Sequence, residues 1–359
     1  MSYGGADVHG RPGLLRDRRR AALSRRAADG VTAREPPLLV LLGPTASGKE
    51  AAAVHAAAEL DAELVVADSV KPYRGLAIAA AAPPPEHAAR VPHHLVGVLE
   101  PEERLHAARW AELARAAIGD IRARGRTPLV VGGTALYLKA LLSGLFAGPG
   151  ADEELRERLR AEEDATPGAL HARLSQVDPD AAARIHPNDR KRLLRALEVH
   201  AVTGRPISAA QSQWDAPPST AARLVGLRRT RDDLRARIEL RVRVMAEAGL
   251  VAEIRTLVDA GRLGPTAREA IGVKELVPYL ERRRAGVPEG PRELPDALEA
   301  VRAHTWQLAR RQGTWWRRFE GVTWLDVAAD EPAAQTGRRV AAAFRSAPEP
   351  DGPPIATHP

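Results

Sequence analysis

The sequence contains no cysteine and no long apolar segment. Without cysteine the chain can form neither disulfide bonds nor thiolate metal sites, and this composition is compatible with a reducing compartment. The longest hydrophobic runs are strand-length or rich in alanine, whereas a membrane-spanning helix needs about 20 apolar residues. Residues 1–34 also lack the apolar core of a secretory signal. We therefore expect a cytoplasmic protein with no membrane-spanning segment.

The sequence contains more positively than negatively charged residues. Lysine and arginine number 53 against 46 aspartate and glutamate residues, which gives a formal net charge of +7. An arginine-rich composition alone could produce this excess. A polyanionic partner is the other explanation, because clustered arginine neutralises phosphates and releases their counterions. The clustering of the basic residues, and not the total charge, has to distinguish the two.

Short apolar runs alternate with helical patterns in the first half of the chain. Residues 38–42, 64–67 and 128–131 have the composition of buried strands, and segments 50–60 and 102–124 between them have helical character. Strand, helix and strand in this order are typical of a parallel sheet covered by helices on both faces. We therefore predict an α/β fold, with a P-loop NTPase-like parallel sheet flanked by helices and an inserted helical subdomain.

Changes in composition divide the chain into five predicted segments. Arginine, alanine and glycine dominate the start, charged helical patterns follow residue 151, and the end is rich in proline and polar residues. The segments are a disordered basic arm (1–36), the P-loop α/β core (37–150), a helical insertion subdomain (151–215), the remainder of the core with basic helices and the last strand (216–330), and a helix remnant with a disordered tail (331–359).

A glycine-flanked loop follows the first predicted strand and resembles a phosphate-binding loop. The usual pattern is Gly, four residues, Gly-Lys, then Ser or Thr, and Glu50 stands where the hydroxyl residue is expected. Backbone N–H groups at the start of the following helix would hold phosphate oxygens. The predicted phosphate-binding residues are Gly43, Pro44, Thr45, Ala46, Ser47, Gly48, Lys49 and Glu50.

Two polar residues follow neighbouring predicted strands. Asp68 comes directly after the second strand, and Thr134 follows Gly132 and Gly133 after the third. Because ligands bind at the carboxyl ends of strands in open parallel sheets, both residues are predicted to lie beside the phosphate-binding loop. Each also has a simpler interpretation, since Asp68 could cap the next turn and Thr134 the next helix.

Nine short motifs, taken together, resemble the tRNA dimethylallyltransferases, also called tRNA isopentenyltransferases. The resemblance spans roughly residues 37–326. The motifs occur in this order: Gly-Pro-Thr-Ala-Ser-Gly-Lys at 43–49, Asp-Ser at 68–69 with Tyr-Arg-Gly at 73–75, Val-Pro-His-His-Leu at 91–95, Gly-Gly-Thr-Ala-Leu-Tyr at 132–137, Ile-His-Pro-Asn-Asp at 185–189, Arg-Ala-Leu-Glu-Val at 195–199, Thr-Gly-Arg-Pro at 203–206, Ile-Gly-Val-Lys-Glu at 271–275 and Arg-Gln-Gly-Thr-Trp at 311–315.

This resemblance implies a reaction. A dimethylallyl group would pass from dimethylallyl diphosphate to the exocyclic amine of the adenosine just 3′ of a tRNA anticodon, with the loop holding the diphosphate and Mg²⁺. Asp68 would act as the general base, and Thr134 would hydrogen-bond in the same pocket. Arg237 or Arg241, four residues apart on one predicted helix face, would stabilise the leaving diphosphate.

The resemblance also implies tRNA-binding residues and a flipped target base. For any one basic residue here, a solvated helix face is the simpler interpretation. We expect tRNA and dimethylallyl diphosphate as partners and a monomer as the active form. The residues predicted to bind tRNA are Ser69, Val70, Lys71, Lys191, Arg192, Leu193, Leu194, Arg195 and Lys274.

Four departures from the family pattern fall at or near the predicted site. They are Glu50, Lys71 in place of a glutamine, an Ala-Ala-Ala-Ala-Pro segment at 79–83, and Trp306 in place of an arginine. Glu50 could ligate Mg²⁺ itself, or Thr45 or Ser47 could supply the missing hydroxyl. A negative charge near a diphosphate is otherwise repulsive.

Two alternative functions remain open on the sequence. The first is a tRNA-binding paralogue with weak or no transferase activity, for which a Glu50→Thr change should restore turnover. The second is a P-loop small-molecule kinase, which the basic helices after residue 150 disfavour.

Overall fold

The protein is described by a computed structural model that covers residues 36–145, 148–210 and 220–348. Almost all of the predicted basic arm, and the tail beyond residue 348, lie outside the described residues. Within them the chain forms six strands and fourteen α-helices.

One parallel sheet organises the described residues. Its strands are β1 (Leu38–Leu42), β2 (Ala62–Ala67), β3 (His93–His94), β4 (Thr127–Gly132), β5 (Ala222–Arg228) and β6 (Val322–Asp326), in the order β3-β2-β4-β1-β5-β6 with every neighbouring pair parallel. All five residues of β1 are buried between β4 and β5. The predicted α/β fold is confirmed, because continuous apolar runs suit strands that are covered on both faces.

Helices cover both faces of the sheet. They include α1 (Lys49–Leu60), α2 (Pro85–Arg90), α3 (Ala107–Ala123) and α4 (Ala135–Ser143). On one face Trp110 of α3 is fully buried, stacks on Tyr137 with ring centroids 5.0 Å apart, and donates its indole N–H to the Val66 carbonyl. These contacts fix α3 and α4 against the ends of β2 and β4, where Asp68 and Thr134 follow.

Five helices between β4 and β5 surround a small apolar core of their own. They are α5 (Glu153–Ala165), α6 (Ala169–Val177), α7 (Pro179–Arg184), α8 (Arg190–Thr203) and α9 (Ile207–Ala210), and residues 211–219 lie outside the described part. α8 has Asp189 as its N-cap and Gly204 as its C-cap. This arrangement agrees with the predicted helical insertion. That the insertion forms a separate subdomain stays a prediction.

The remaining helices follow β5. They are α10 (Arg231–Glu247), α11 (Leu250–Asp259), α12 (Val273–Arg284), α13 (Glu293–Trp316) and, after β6, α14 (Ala333–Ser346). The segment predicted as a helix remnant thus contains a helix of 14 residues, with Val340 and Phe344 buried against the same core as β1 and α1. None of the described helices is long and apolar enough to cross a membrane.

Candidate active site

β1 ends in the loop that the sequence predicts to bind phosphate. Gly48 is the N-cap of α1 and has φ of 84°, a left-handed conformation that glycine adopts without strain. The loop closes through a hydrogen bond from the Ser47 N–H to the Pro44 carbonyl at 3.2 Å. Because Lys49 and Glu50 form the first turn of α1, unpaired backbone N–H groups and the positive end of the helix dipole lie here.

Three arginines from the end of β5 and from α10 hold this loop. Arg229 donates to the Ser47 carbonyl at 2.7 Å, and Arg237 donates to the Ala46 carbonyl at 2.8 Å. Arg241 reaches the Thr45 hydroxyl at 3.3 Å. Arg229 is also paired with Asp233 at 2.8 Å, in a nearly inaccessible position. The loop conformation is therefore fixed by cations that lie far away in the sequence.

Gln312 of α13 joins the loop to the end of β4. Its side-chain oxygen accepts the Thr45 N–H at 2.7 Å, and its side-chain nitrogen donates to the Gly133 carbonyl at 2.8 Å. A Cβ atom on Gly133 would lie only 2.5 Å from the Gln312 nitrogen and 3.4 Å from the Lys49 amine. Glycine at position 133 is thus required for this close approach.

A cavity of about 510 Å³ opens beside the loop. Thr45, Lys49 and Glu50 line it from the loop side, and Asp68 and Thr134 from the strand ends. Of the two arginines predicted to face a leaving diphosphate, Arg241 lines the cavity and Arg237 does not. Arg237 instead lies behind the loop, on the Ala46 carbonyl.

The environment of Asp68 leaves one carboxylate oxygen available. Oδ1 accepts the N–H groups of Val70 and Lys71 at 2.7 and 3.1 Å, and Oδ2 has no hydrogen-bond partner among the described residues. Asp68 therefore caps the following turn, as the simpler interpretation requires, and also presents an acceptor to the cavity.

Thr134 occupies the N-cap position of α4 but does not cap it with its side chain. Its backbone N–H donates to the Ala67 carbonyl at 3.3 Å, which places the residue at the end of β2. Because the hydroxyl is not used by the helix, it can hydrogen-bond a ligand in the cavity.

Lys49 is a cation of the site whose pKa is shifted by burial. Burial lowers the pKa of its amine to about 8, while the nearby carboxylates of Glu50 and Asp68 oppose the shift. The amine donates to the Pro44 carbonyl at 3.2 Å. A phosphate anion would supply the missing counter-charge, so Lys49 is suited to bind one.

Glu50 has a partner that the sequence did not suggest. Its two carboxylate oxygens lie 2.6 and 2.5 Å from the Lys71 amine, whose side chain is 6% exposed. This ion pair joins two of the positions that depart from the family pattern. Among the described residues no cluster of three or more His, Asp or Glu side chains could hold a metal ion. The Glu50 carboxylate is thus engaged by Lys71, and its role as a Mg²⁺ ligand stays a prediction.

The stretch predicted to bind tRNA on α8 divides into two faces. Lys191 and Arg192 are exposed, with 79% and 63% of their side chains accessible. Arg195 is half-buried and paired with Glu198 at 2.6 Å. Leu193 and Leu194 are buried in the helical core, and their contact with tRNA stays a prediction.

Four other residues predicted to contact tRNA lie at the cavity. Ser69, Val70, Lys71 and Lys274 all line it. Lys71 differs from the other three because its amine is occupied by Glu50 and by the Ala81 carbonyl. The departing residue Trp306 lies elsewhere, on α13, where Arg231 and Arg235 stack on its ring.

Sequence reasoning did not identify Arg229 or Gln312 as site residues. Gln312 belongs to a motif that carried the family resemblance, but the motif alone gives no indication of its contact with the loop. Arg229 directly follows β5, and the rule that placed Asp68 and Thr134 at the ends of strands would also have found it.

These features define a P-loop-like α/β protein with a cavity suited to a phosphorylated ligand. The family model described as IPP transferase matches residues 71–319. A tRNA dimethylallyltransferase of Anaeromyxobacter sp. (strain Fw109-5) is 48% identical over 290 residues, which cover 80% of this chain and 94% of the relative. One from Symbiobacterium thermophilum is 42% identical over 297 residues, 82% of this chain and 91% of the relative.

Solved structures agree with this match. The tRNA isopentenylpyrophosphate transferase from Bacillus halodurans superimposes with a TM-score of 0.60 at 34% identity, over 87% of this chain and 97% of that one. A eukaryotic dimethylallyltransferase acting on tRNA gives a TM-score of 0.66 at 26% identity, over 81% and 74% of the two chains. The chain belongs to the IPP transferase family, the family of the tRNA dimethylallyltransferases.

Proposed function

We propose that the protein transfers a dimethylallyl group from dimethylallyl diphosphate to the exocyclic amine of the adenosine 3′ of the anticodon in tRNA. The observation that carries the proposal is the convergence of a phosphate-binding loop and a carboxylate on one cavity, with Lys49 and Asp68 on its wall. A prenyl diphosphate needs cations at its leaving group, and an amine nucleophile needs a proton acceptor. The cavity offers both.

The loop side of the cavity binds the diphosphate. Backbone N–H groups of the first turn of α1, the Lys49 amine and the Arg241 guanidinium meet the phosphate oxygens. As the carbon–oxygen bond to the diphosphate breaks, these groups stabilise the negative charge that grows on the leaving group. Arg229 and Arg237 act indirectly, by holding the loop carbonyls.

Mg²⁺, when bound, would add positive charge at the diphosphate. Mg²⁺ commonly uses only one or two protein oxygens besides waters and substrate phosphates. Thr45 lines the cavity, and its hydroxyl, which accepts a hydrogen bond from Arg241 at 3.3 Å, would be the loop oxygen at such a site, whereas Ser47 is buried and the Glu50 carboxylate is paired with Lys71.

The strand-end side of the cavity receives the adenosine. The exocyclic nitrogen attacks the allylic carbon and forms the new carbon–nitrogen bond while the bond to the diphosphate oxygen breaks. The free Oδ2 of Asp68 takes the proton that the nitrogen loses. Thr134 donates or accepts one hydrogen bond that orients a reacting group.

Exposed cations outside the cavity position the tRNA. Lys191 and Arg192 of α8 contact the phosphate backbone, and Lys274 contacts it at the cavity mouth. A monomer is the proposed active form. The cytoplasm, where tRNA is matured and used, is the proposed location.

The test is transfer of label from dimethylallyl diphosphate to a tRNA with adenosine 3′ of its anticodon, in the presence of Mg²⁺. Wild-type protein should transfer the label, and Asp68→Asn should lose at least about a hundredfold in turnover because general-base catalysis contributes that much. Asp120→Asn, which changes an exposed carboxylate of α3, is the matched control. Undiminished transfer by the Asp68 variant contradicts the base assignment.

The same assay separates the alternatives. Normal tRNA binding without transfer would support an inactive tRNA-binding paralogue. Release of phosphate from ATP, together with no product from dimethylallyl diphosphate, would support a small-molecule kinase.

A further inference from the structure

Three positions that depart from the family pattern meet at one point in the cavity wall. The Lys71 amine contacts both Glu50 oxygens and also donates to the Ala81 carbonyl at 2.5 Å. An ammonium group has three N–H donors, so these partners use the whole capacity of Lys71. Ala81 belongs to the alanine segment that replaces the family's Gly-Thr-Ala-Lys-Pro. The three departures are therefore one local change and not three separate ones.

Neither member of the pair is suited to stand alone. The Lys71 side chain is 6% exposed, and a buried ammonium without a partner is strongly unfavourable. Glu50 is 28% exposed and lies in the first turn of α1, beside Lys49 and Thr45 on the cavity wall. A free carboxylate there would repel any anion held by the same N–H groups.

We propose that Glu50 and Lys71 act as one neutral positioning unit that allows this phosphate-binding loop to carry a carboxylate and still bind a diphosphate. Lys71 cancels the charge of Glu50 and occupies both of its carboxylate oxygens. The unit also links α1 to the alanine segment, whose other side is held by Glu253 through the N–H groups of Ile78 and Ala79, each at 2.8 Å. It thereby sets the shape of the cavity wall between the loop and this segment.

This proposal rests on the proposed function only in naming the ligand as a prenyl diphosphate. Its central prediction is that Glu50 and Lys71 can be replaced without harm only when both are replaced in the same variant. Glu50→Thr alone would restore the usual loop hydroxyl but leave Lys71 buried and unpaired. That variant is therefore expected to be less stable than the wild type. If Glu50 were instead an isolated defect in an impaired paralogue, Glu50→Thr would restore the site without a loss of stability.

The experiment is a double-mutant cycle with inorganic pyrophosphate as the probe. Glu50→Thr, Lys71→Gln and the double variant are compared with the wild type. The pyrophosphate Kd is measured by isothermal titration calorimetry, and the midpoint of thermal unfolding is measured for each protein. Lys71→Gln exposes the carboxylate, so we expect the pyrophosphate Kd to rise at least about tenfold. Glu50→Thr adds a free cation, so its Kd should fall or stay within about twofold, and the double variant should return to within about threefold of the wild type.

Weaker pyrophosphate binding in Lys71→Gln but not in Glu50→Thr distinguishes this role from simple structural support. Both single variants should have lower thermal midpoints and the double variant a higher one than either. If the double variant keeps the raised Kd of Lys71→Gln, the Glu50 carboxylate is not what weakens binding and the proposal is overturned. Equal weakening of pyrophosphate binding in both single variants would overturn it as well.

A second set of variants and a control pair complete the experiment. Should the first variants not fold, Glu50→Gln and Lys71→Met form a milder cycle with the same expected signs. The exposed pair Glu162 and Arg173, 3.0 Å apart in the helical insertion, provides the control cycle in which neither affinity nor coupling should change. Because pyrophosphate binding and melting need no turnover, a wild type without transferase activity would contradict the proposed function and leave this test intact.

Discussion

The side-chain amide of Gln312 binds the backbone N–H of Thr45 at 2.7 Å, across 267 residues of sequence. The other end of the same amide holds the Gly133 carbonyl. One side chain of α13 thus fixes the distance between the loop and the end of β4, the two walls of the cavity in which we propose that the reaction takes place. This relationship gives the first of four predictions.

Replacing Gln312 by alanine should impair catalysis without unfolding the protein. The buried Thr45 N–H and Gly133 carbonyl would lose their partner, and such a loss costs about 1–3 kcal/mol. We expect kcat/KM for dimethylallyl diphosphate to fall by roughly tenfold to a hundredfold, as measured by label transfer. Gln307→Ala, on an exposed position of the same helix, should behave like the wild type. Equal activity in both variants would contradict the role given to Gln312.

Affinity for diphosphate should depend on pH through Lys49. Burial lowers the pKa of this amine to about 8 in the free protein, so it is charged below that pH and becomes neutral above it. Because the anion favours the charged form, the pyrophosphate Kd should rise as the pH increases from 8, by up to about tenfold per pH unit. Isothermal titration at pH 7, 8 and 9 measures this.

Lys49→Arg is the matched variant for that titration. A guanidinium stays protonated throughout this range, so the rise between pH 8 and 9 should disappear. A wild-type Kd that is constant from pH 7 to pH 9 would show that the Lys49 charge is not what binds the anion.

Arg229 should matter more for stability than an ordinary surface arginine. It is only 4% exposed, pairs with Asp233 and holds the Ser47 carbonyl, so its removal leaves a poorly accessible carboxylate without its cation. Breaking one side of a buried ion pair typically costs about 3–5 kcal/mol. Chemical denaturation of Arg229→Ala should therefore give a lower free energy of unfolding by about 3 kcal/mol. Arg243→Ala, exposed on α10, should change it little, and similar losses in both variants would refute the assignment.

The two faces of α8 should separate tRNA affinity from stability. A Lys191→Ala and Arg192→Ala double variant should bind tRNA more weakly than the wild type. The slope of log K against the logarithm of the salt concentration, called the salt slope here, should also be less steep. The decrease should be about 0.7–0.9 for each phosphate that these side chains neutralise in the wild type. Its melting temperature should not change, because both side chains are exposed. Filter binding at several salt concentrations gives the slope.

Leu193→Ala is the complementary variant. This side chain is fully buried, so the change should lower the free energy of unfolding by about 2–5 kcal/mol. Folded Leu193→Ala protein should keep the wild-type salt slope. Arg338→Ala, exposed on α14, is the charge control, and a loss of tRNA affinity there equal to that of the double variant would point to nonspecific charge.

The sequence predicted those parts of the fold that depend on local pattern. β1 and the start of α1 were placed to within a residue because an apolar run, a glycine loop and a helix start follow one another directly. Asp68 and Thr134 reach the same cavity, as expected from the geometry of parallel strands. Such predictions need only the direction of each strand and the place where it ends.

Contacts between distant segments could not be read in the same way. Arg237 and Arg241 share a helix face, and only the packing of α10 shows that Arg241 alone of the two reaches the cavity. Glu50 and Lys71 looked like two independent departures, because nothing in their spacing of 21 residues indicates that their side chains meet.

The arginine and glutamine contacts to the loop have a consequence for how the chain is made. Arg229, Arg237 and Gln312 are added 182, 191 and 267 residues after their partners in the loop. A nascent chain that stops before α13 has the whole glycine motif and lacks the amide that joins it to β4. The proposed diphosphate site is thus complete only once α13 has been added, and a chain that stops before α13 lacks the contact that joins the two walls of the cavity.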